Sequence, residues 1–157
     1  MVVLRHFLEQ DAGFICGNVY PDLTIDGATA MIREWNSGIH QGKYFEMFAV
    51  LSGDDIVGYA SLLEHSHSTV SAGIEILRAE QNKGFGAQTL ATLIDLAVSK
   101  GYRIMFDQVR ADNLASIRLH EKLGFESDKY IYRNRKNKEI ILYIKPLYQI
   151  QVCRCNC

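Results

Sequence analysis

The chain is poor in proline, with Pro21 and Pro146 the only two, and it carries a single tryptophan, Trp35. No proline-rich or low-complexity stretch divides it, so its 157 residues read as one domain large enough to bury a core. Charge is not biased: 17 Lys and Arg face 18 Asp and Glu, a net of -1. That balance argues against nucleic acid as a partner. The basic run Arg133-Asn134-Arg135-Lys136-Asn137-Lys138 reads as a solvated hairpin tip. No apolar run approaches the roughly 20 residues of a membrane span. The start, Met1 to Phe7, does not read as a signal peptide, and a cytoplasmic location is the default expectation. Cysteine is sparse until the end, where Cys153, Cys155 and Cys157 crowd together. Their alternate spacing is tighter than zinc pairs use, and the His65-Ser66-His67 pair lacks further ligands, so no metal is expected. Cys16 reads as a buried thiol.

What is present is an alternation of strand and helix patterns. Val2 to Leu8 reads as a strand, followed by a short helix capped by Asp11 and broken at Pro21-Asp22. A second helix, capped by Asp26, ends at Gly38. Tyr44 to Leu51 and Ile56 to Leu63 form a hairpin across Ser52-Gly53-Asp54-Asp55. Val70 to Leu77 is a further strand, and its near-continuous apolarity places it centrally. Ala87 to Lys100 is an amphipathic helix, with Leu90, Leu93, Ile94 and Ala97 on one stripe. Arg103 to Val109 returns as a strand, as in a strand-helix-strand crossover. Asn113 caps a helix to Lys122, and Phe125 to Arg133 with Glu139 to Lys145 make a last hairpin. The expected fold is α/β, in the α+β sense: a mostly antiparallel mixed sheet of six to seven strands, flanked by about four helices.

The segment Gln81-Asn82-Lys83-Gly84-Phe85-Gly86 joins the central strand to the amphipathic helix. Glycines let backbone approach a ligand closely, and the unpaired amides of a helix start favour an anion such as a pyrophosphate. The segment lacks the Gly-Lys-Ser/Thr ending of a P-loop and the full three-glycine dinucleotide pattern. A second signature runs from Asn113 to Phe125: Asn-Leu-Ala-Ser-Ile-Arg-Leu-His-Glu-Lys-Leu-Gly-Phe.

Together, in that order and context, these motifs resemble the GNAT-type N-acetyltransferase superfamily over residues 1–146, with 147–157 as a tail. The resemblance implies a single GNAT-like domain and acetyl transfer from acetyl-CoA to a primary amine. It implies direct attack on the thioester, without a metal and without a covalent enzyme intermediate. It places the pyrophosphate on backbone from Gln81, Asn82, Lys83, Gly84, Phe85, Gly86 and Ala87, and the pantetheine arm against Ile76, Leu77 and Arg78. Asn113 and Ser116 fall on the cofactor side, where Asn113 can also serve as a helix cap.

His120 departs from the family pattern, which usually has Tyr there as donor to the leaving thiolate. An imidazole can also donate a proton near neutral pH. His120 is therefore either the catalytic acid or a structural residue. The alternative reading of the protein is a catalytically weak CoA-binding sensor. Glu75 is the leading candidate for general base, or else a carboxylate paired with Arg78 or Arg110; Glu64, His65 and His67 are weaker candidates. The amine, a small molecule or peptide, is expected near Tyr20, Asp22 and Trp35 and the last hairpin, although Trp35 also suits a core. Tyr130, Tyr132, Tyr143 and Tyr148 would supply a homodimer contact.

Overall fold

A computed structural model describes residues 1–147. Eight strands and four α-helices alternate: β1 (Val3–His6), α1 (Ala12–Asn18), α2 (Ile25–Asn36), β2 (Ile39–His40), β3 (Lys43–Ser52), β4 (Asp55–Ser66), β5 (Thr69–Ile76), α3 (Phe85–Ser99), β6 (Ile104–Arg110), α4 (Leu114–Lys122), β7 (Tyr132–Arg133) and β8 (Glu139–Pro146). They form one sheet in the order β1-β3-β4-β5-β6-β8-β7, with β2 paired to β3. The strand not expected from the sequence is β2, of two residues, too short for a period-2 pattern to register; β7, also of two residues, lies within the expected Phe125 to Arg133 strand. Pairing is antiparallel except between β5 and β6.

Alternation along the strands splits the core in two. Val50, Ala60, Leu62, Val70, Met105 and Tyr143 face α3 and α4, meeting Leu90 and Leu93. Phe7, Ala49 and Tyr59 face α1 and α2, meeting Ile15, Ile32 and Trp35. Trp35 is thus a core residue, although its ring also lies 6.5 Å from that of Tyr20. Leu147 is buried with the first cluster. The tail residues Tyr148, Cys153, Cys155 and Cys157 lie outside the described residues.

Local chemistry departs from expectation at three places. The second helix is capped by Thr24, whose hydroxyl accepts the Gly27 amide at 3.1 Å; Asp26 sits within the first turn. Asp11 does not cap α1 with its side chain. Its carboxylate turns back to accept the Leu8 amide at 2.7 Å and to pair with Arg5 at 2.6 Å. The expected strand from Phe125 to Arg133 is not continuous: only Glu126 bridges to Ile144 before β7 begins. The Ser127 hydroxyl and Asp128 carboxylate accept the amides of Lys129 and Tyr130, so local turns take groups a ladder would need. Tyr143, expected on the surface, is fully buried because it occupies an inward position of β8.

Candidate active site

The crossover β5-α3-β6 makes the site. Parallel pairing between β5 and β6 covers only Thr69 with Ile104 and Val70 with Met105. Beyond that the strands splay. The Leu77 amide donates to the Val57 carbonyl at 2.9 Å, so by alternation Gly73 and Glu75 also turn their backbone groups to β4. Ala72, Ile74 and Ile76 turn theirs toward β6. Only Ala72 finds a partner on β6: its amide donates to Asp107 Oδ1 at 2.7 Å. The amides of Ile74 and Ile76 are left facing the gap without a strand partner.

A close approach holds β4 to the far edge of β5. A Cβ on Gly58 would lie 2.3 Å from the Glu75 carbonyl oxygen, so only glycine fits there. A cleft of about 710 Å³ follows the gap. Its walls come from β5, from the loop and first turn of α3, from β6, and from the first turns of α4.

The loop after β5 is shaped for an anion. Gly84 stands at the N-cap of α3 with φ of 83°, a left-handed conformation that costs glycine little. Gln81 donates its side-chain amide to the Ile76 carbonyl at 3.0 Å, tying the loop to the strand end. The amides of Phe85, Gly86 and Ala87 have no acceptor within the helix, and no acid occupies its first turn. Gln81, Asn82, Gly84, Phe85, Gly86 and Ala87 all line the cleft. Lys83 does not; its ammonium pairs with Glu80 at 2.9 Å. Leu77 and Arg78 also lie outside the lining, and the Leu77 amide is already spent on Val57. Ile74, not among the expected residues, occupies the position that alternation assigns with Ile76.

On the opposite wall, Asn113 caps α4 by accepting the Ser116 amide at 3.1 Å, which leaves its side-chain NH₂ directed outward from that bond. Ser116 and His120 follow one helical turn apart, both on the cleft. His120 is buried. Its Nδ1 lies 2.8 Å from the Ser116 carbonyl oxygen, and its Nε2 lies 3.0 Å from Asp107 Oδ2. Asp107 escaped the sequence reading, yet a signal existed: it is an acid at an inward position of β6, between Met105 and Val109.

Glu75 lies on the other face of the sheet from Ile74 and Ile76. Its register partner is Tyr59, which belongs to the α1 and α2 side. Burial, then the charges of Glu75 and Tyr20, push the Tyr59 phenol above its usual range. Tyr20, Tyr59 and Glu75 therefore stand near one another on the α1 and α2 side of the sheet, and of the three Glu75 lines the cleft. Glu75 forms no ion pair among the described residues, and Arg110, one expected partner, pairs with Asp112. Glu64 accepts the Tyr102 hydroxyl at 2.7 Å, and His65 bonds Ser71 at 2.8 Å; neither lines the cleft, nor does His67. No cluster of three metal-type ligands occurs among the described residues. No helix among them is long and apolar enough to cross a membrane.

The family model described as "Acetyltransferase (GNAT) family" matches residues 14–125. An L-methionine sulfoximine/L-methionine sulfone acetyltransferase of Pseudomonas paraeruginosa is 35% identical over 99 residues, covering 60% of this chain and 58% of that protein. The chain thus matches little more than half the length of this curated relative. Among solved structures, a spermidine N-acetyltransferase from Vibrio cholerae in complex with CoA and spermine superposes with a TM-score of 0.75, at 19% identity, over 93% of this chain and 95% of that one. An acetyltransferase from Salmonella typhimurium that modifies the N-terminal serine of ribosomal protein L7/L12 gives a TM-score of 0.76, at 16% identity, over 92% and 94%. Both likenesses establish the fold. With the matched model spanning most of the chain, and both motifs framing one cleft, the protein belongs to the acetyltransferase (GNAT) family.

Proposed function

We propose that this chain is an acetyl-CoA-dependent N-acetyltransferase acting on the primary amine of a small molecule or peptide. The observation that carries the reading is the single cleft that joins the unpaired start of α3 to the unpaired edge of β5. The residues fit the group. Free amides at Phe85, Gly86 and Ala87 suit a pyrophosphate. A partnerless strand edge suits an arm of amide groups, which restores the hydrogen bonds the splay removes. The amide of Ile74 or Ile76 polarises the thioester carbonyl and holds negative charge as it develops on that oxygen.

The acceptor enters from the other face, where Glu75 takes a proton from the amine. Tyr59, across the ladder from that carboxylate, and Tyr20 near Tyr59 suit a cationic head group. His120 supplies the proton for the departing thiolate. The relatives support this class of acceptor, since they are named for spermidine, for amino-acid analogues and for a protein N-terminus. A cytoplasmic location belongs to the same reading. So does a homodimer through the hairpin that carries exposed Tyr130, Ile131 and Tyr132; sedimentation showing only monomer would retire the dimer.

The test is a calorimetric titration with acetyl-CoA, with ATP and NAD as controls. It is followed by CoA-thiol release across spermidine, L-methionine sulfone, other L-amino acids and peptides with free N-termini. Binding of acetyl-CoA alone, with thiol release on at least one amine, is the expected result. A second reading, a CoA-binding sensor without turnover, is favoured by one observation: both ring nitrogens of His120 are engaged. Binding without thiol release on any amine would select it.

A further inference from the structure

A carboxylate and an imidazole are buried together in the wall of the cleft. Asp107 is 4% exposed and His120 6%. The two oxygens of Asp107 serve different partners. Oδ1 accepts the Ala72 amide at 2.7 Å, and Oδ2 faces His120 Nε2 at 3.0 Å. On the far edge of the ring, Nδ1 faces the Ser116 carbonyl oxygen at 2.8 Å, with the Ser116 hydroxyl at 3.4 Å.

A carbonyl oxygen only accepts, and so does an ionised carboxylate, while a neutral imidazole has one N–H. In either neutral tautomer one ring nitrogen would turn its lone pair toward an oxygen at 2.8 or 3.0 Å. Both contacts become hydrogen bonds only with a second proton, placed between Nε2 and Oδ2. Of the remaining surroundings only the Ser116 hydroxyl could offer Nδ1 a proton, and at 3.4 Å it stands well outside the 2.8 Å carbonyl contact. Tyr143 on β8 lies with its ring 5.6 Å away, and Phe125 meets the imidazole edge-on at 4.9 Å. The Tyr143 hydroxyl is occupied with Glu121 and Lys129, which pair with each other, and Lys145 sits beyond Phe125. Among the described residues only Asp107 meets the imidazole as an ionisable partner.

We propose that Asp107 is a positioning residue for acetyl transfer: it keeps the transferable proton on His120 and, through Ala72, fixes that proton at the strand edge that receives the thioester. The proposal rests on the acetyltransferase reading above. In the reaction the amine nitrogen bonds to the carbonyl carbon and the C–S bond breaks, its electron pair going to sulfur. Sulfur takes the proton held by His120 and Asp107. The proton released by the nitrogen goes to Glu75 or water, and the pair regains its own from solvent.

The test uses the full chain with ¹⁵N-labelled histidine. In the wild-type protein at neutral pH, both His120 nitrogens should show the shifts of protonated nitrogen. Asp107→Asn keeps an oxygen for Ala72 but offers an N–H to Nε2. That variant should convert His120 to a neutral ring protonated at Nδ1 alone. Its kcat should fall by about 10- to 100-fold, in the range of a lost proton-transfer contribution. Its acetyl-CoA affinity should change less than about twofold, and its kcat should lose the pH dependence of the wild type. A wild-type His120 carrying one protonated nitrogen overturns the proposal. So does Asp107→Asn with unaltered kcat and pH profile. If the wild-type protein acetylates no amine, the functional reading falls and the transfer role with it. The histidine spectra then still decide whether Asp107 holds the proton.

Discussion

The carboxylate of Asp107 stands in for a strand: it accepts the Ala72 amide at 2.7 Å where β6 no longer pairs with β5. One side chain thus closes the inner end of the gap while the amides of Ile74 and Ile76 stay open to it. Removing the carboxylate leaves a half-buried donor without a protein partner. Asp107→Ala should destabilise the fold by about 1–3 kcal/mol. Urea denaturation checks this, and an unchanged midpoint would mean that water or a relaxed β5 takes over the bond.

The loop before α3 depends on backbone conformation at one residue. Gly84 has φ of 83°, where a side chain costs about 1–2 kcal/mol. Gly84→Ala should lower stability by about that amount or shift the helix start out of place. Either effect should weaken acetyl-CoA binding, read by calorimetry alongside thermal unfolding. Binding and stability both equal to wild type would show that the loop does not need this conformation.

Asn113 has two separable roles. Its oxygen caps α4 at the Ser116 amide, and its NH₂ is available to a ligand. Asn113→Ala should cost about 0.5–2 kcal/mol through the cap alone. Asn113→Asp keeps the cap and loses the donor. If the NH₂ touches acetyl-CoA, Asn113→Asp should bind it more weakly at near-native stability. Native affinity in Asn113→Asp would reduce Asn113 to a cap.

Gly58 sets the distance between β4 and β5 beside the cleft. A methyl group there would meet the Glu75 carbonyl oxygen at 2.3 Å. Gly58→Ala should displace β5 and lower the melting temperature. It should also impair amine turnover, because Glu75 moves with its carbonyl. A variant with native stability and kinetics would show that β4 can yield there without disturbing the site.

Asp11 links stability to acid pH. Burial opposes its charge, but the hydrogen bond and charge of Arg5 and the Leu8 amide outweigh it, and its carboxyl sits below the usual range. A carboxyl lowered by folding contributes stability above its unfolded value, near 3.9, which is lost as pH falls through the folded value. Asp11→Asn should therefore narrow the stability difference between neutral pH and pH below about 4. Parallel pH-stability curves for the two proteins would show that Asp11 has no part in it.

The local signals in the sequence were sufficient for most elements and for the two motifs. Helical and strand periods, Asn113 before α4 and the glycines before α3 act through neighbours in the chain, so they can be read without a fold. They located Gln81, Gly84, Gly86, Asn113, Ser116 and His120 on what proved to be one cleft. Where local chemistry had competing solutions, sequence reading went astray. Thr24 rather than Asp26 caps α2, and Ser127 and Asp128 turn the chain where a strand was expected.

Only the tertiary structure decided which backbone groups are free. Leu77 and Ile76 look alike in sequence, yet pairing with β4 consumes the amide of one and leaves the other facing the gap. The partnership of Asp107 with His120 likewise joins two elements across the sheet. Sequence specifies residue chemistry and local conformation. Hydrogen-bond satisfaction is a property of neighbours brought together by packing, and the cleft exists where two paired strands part.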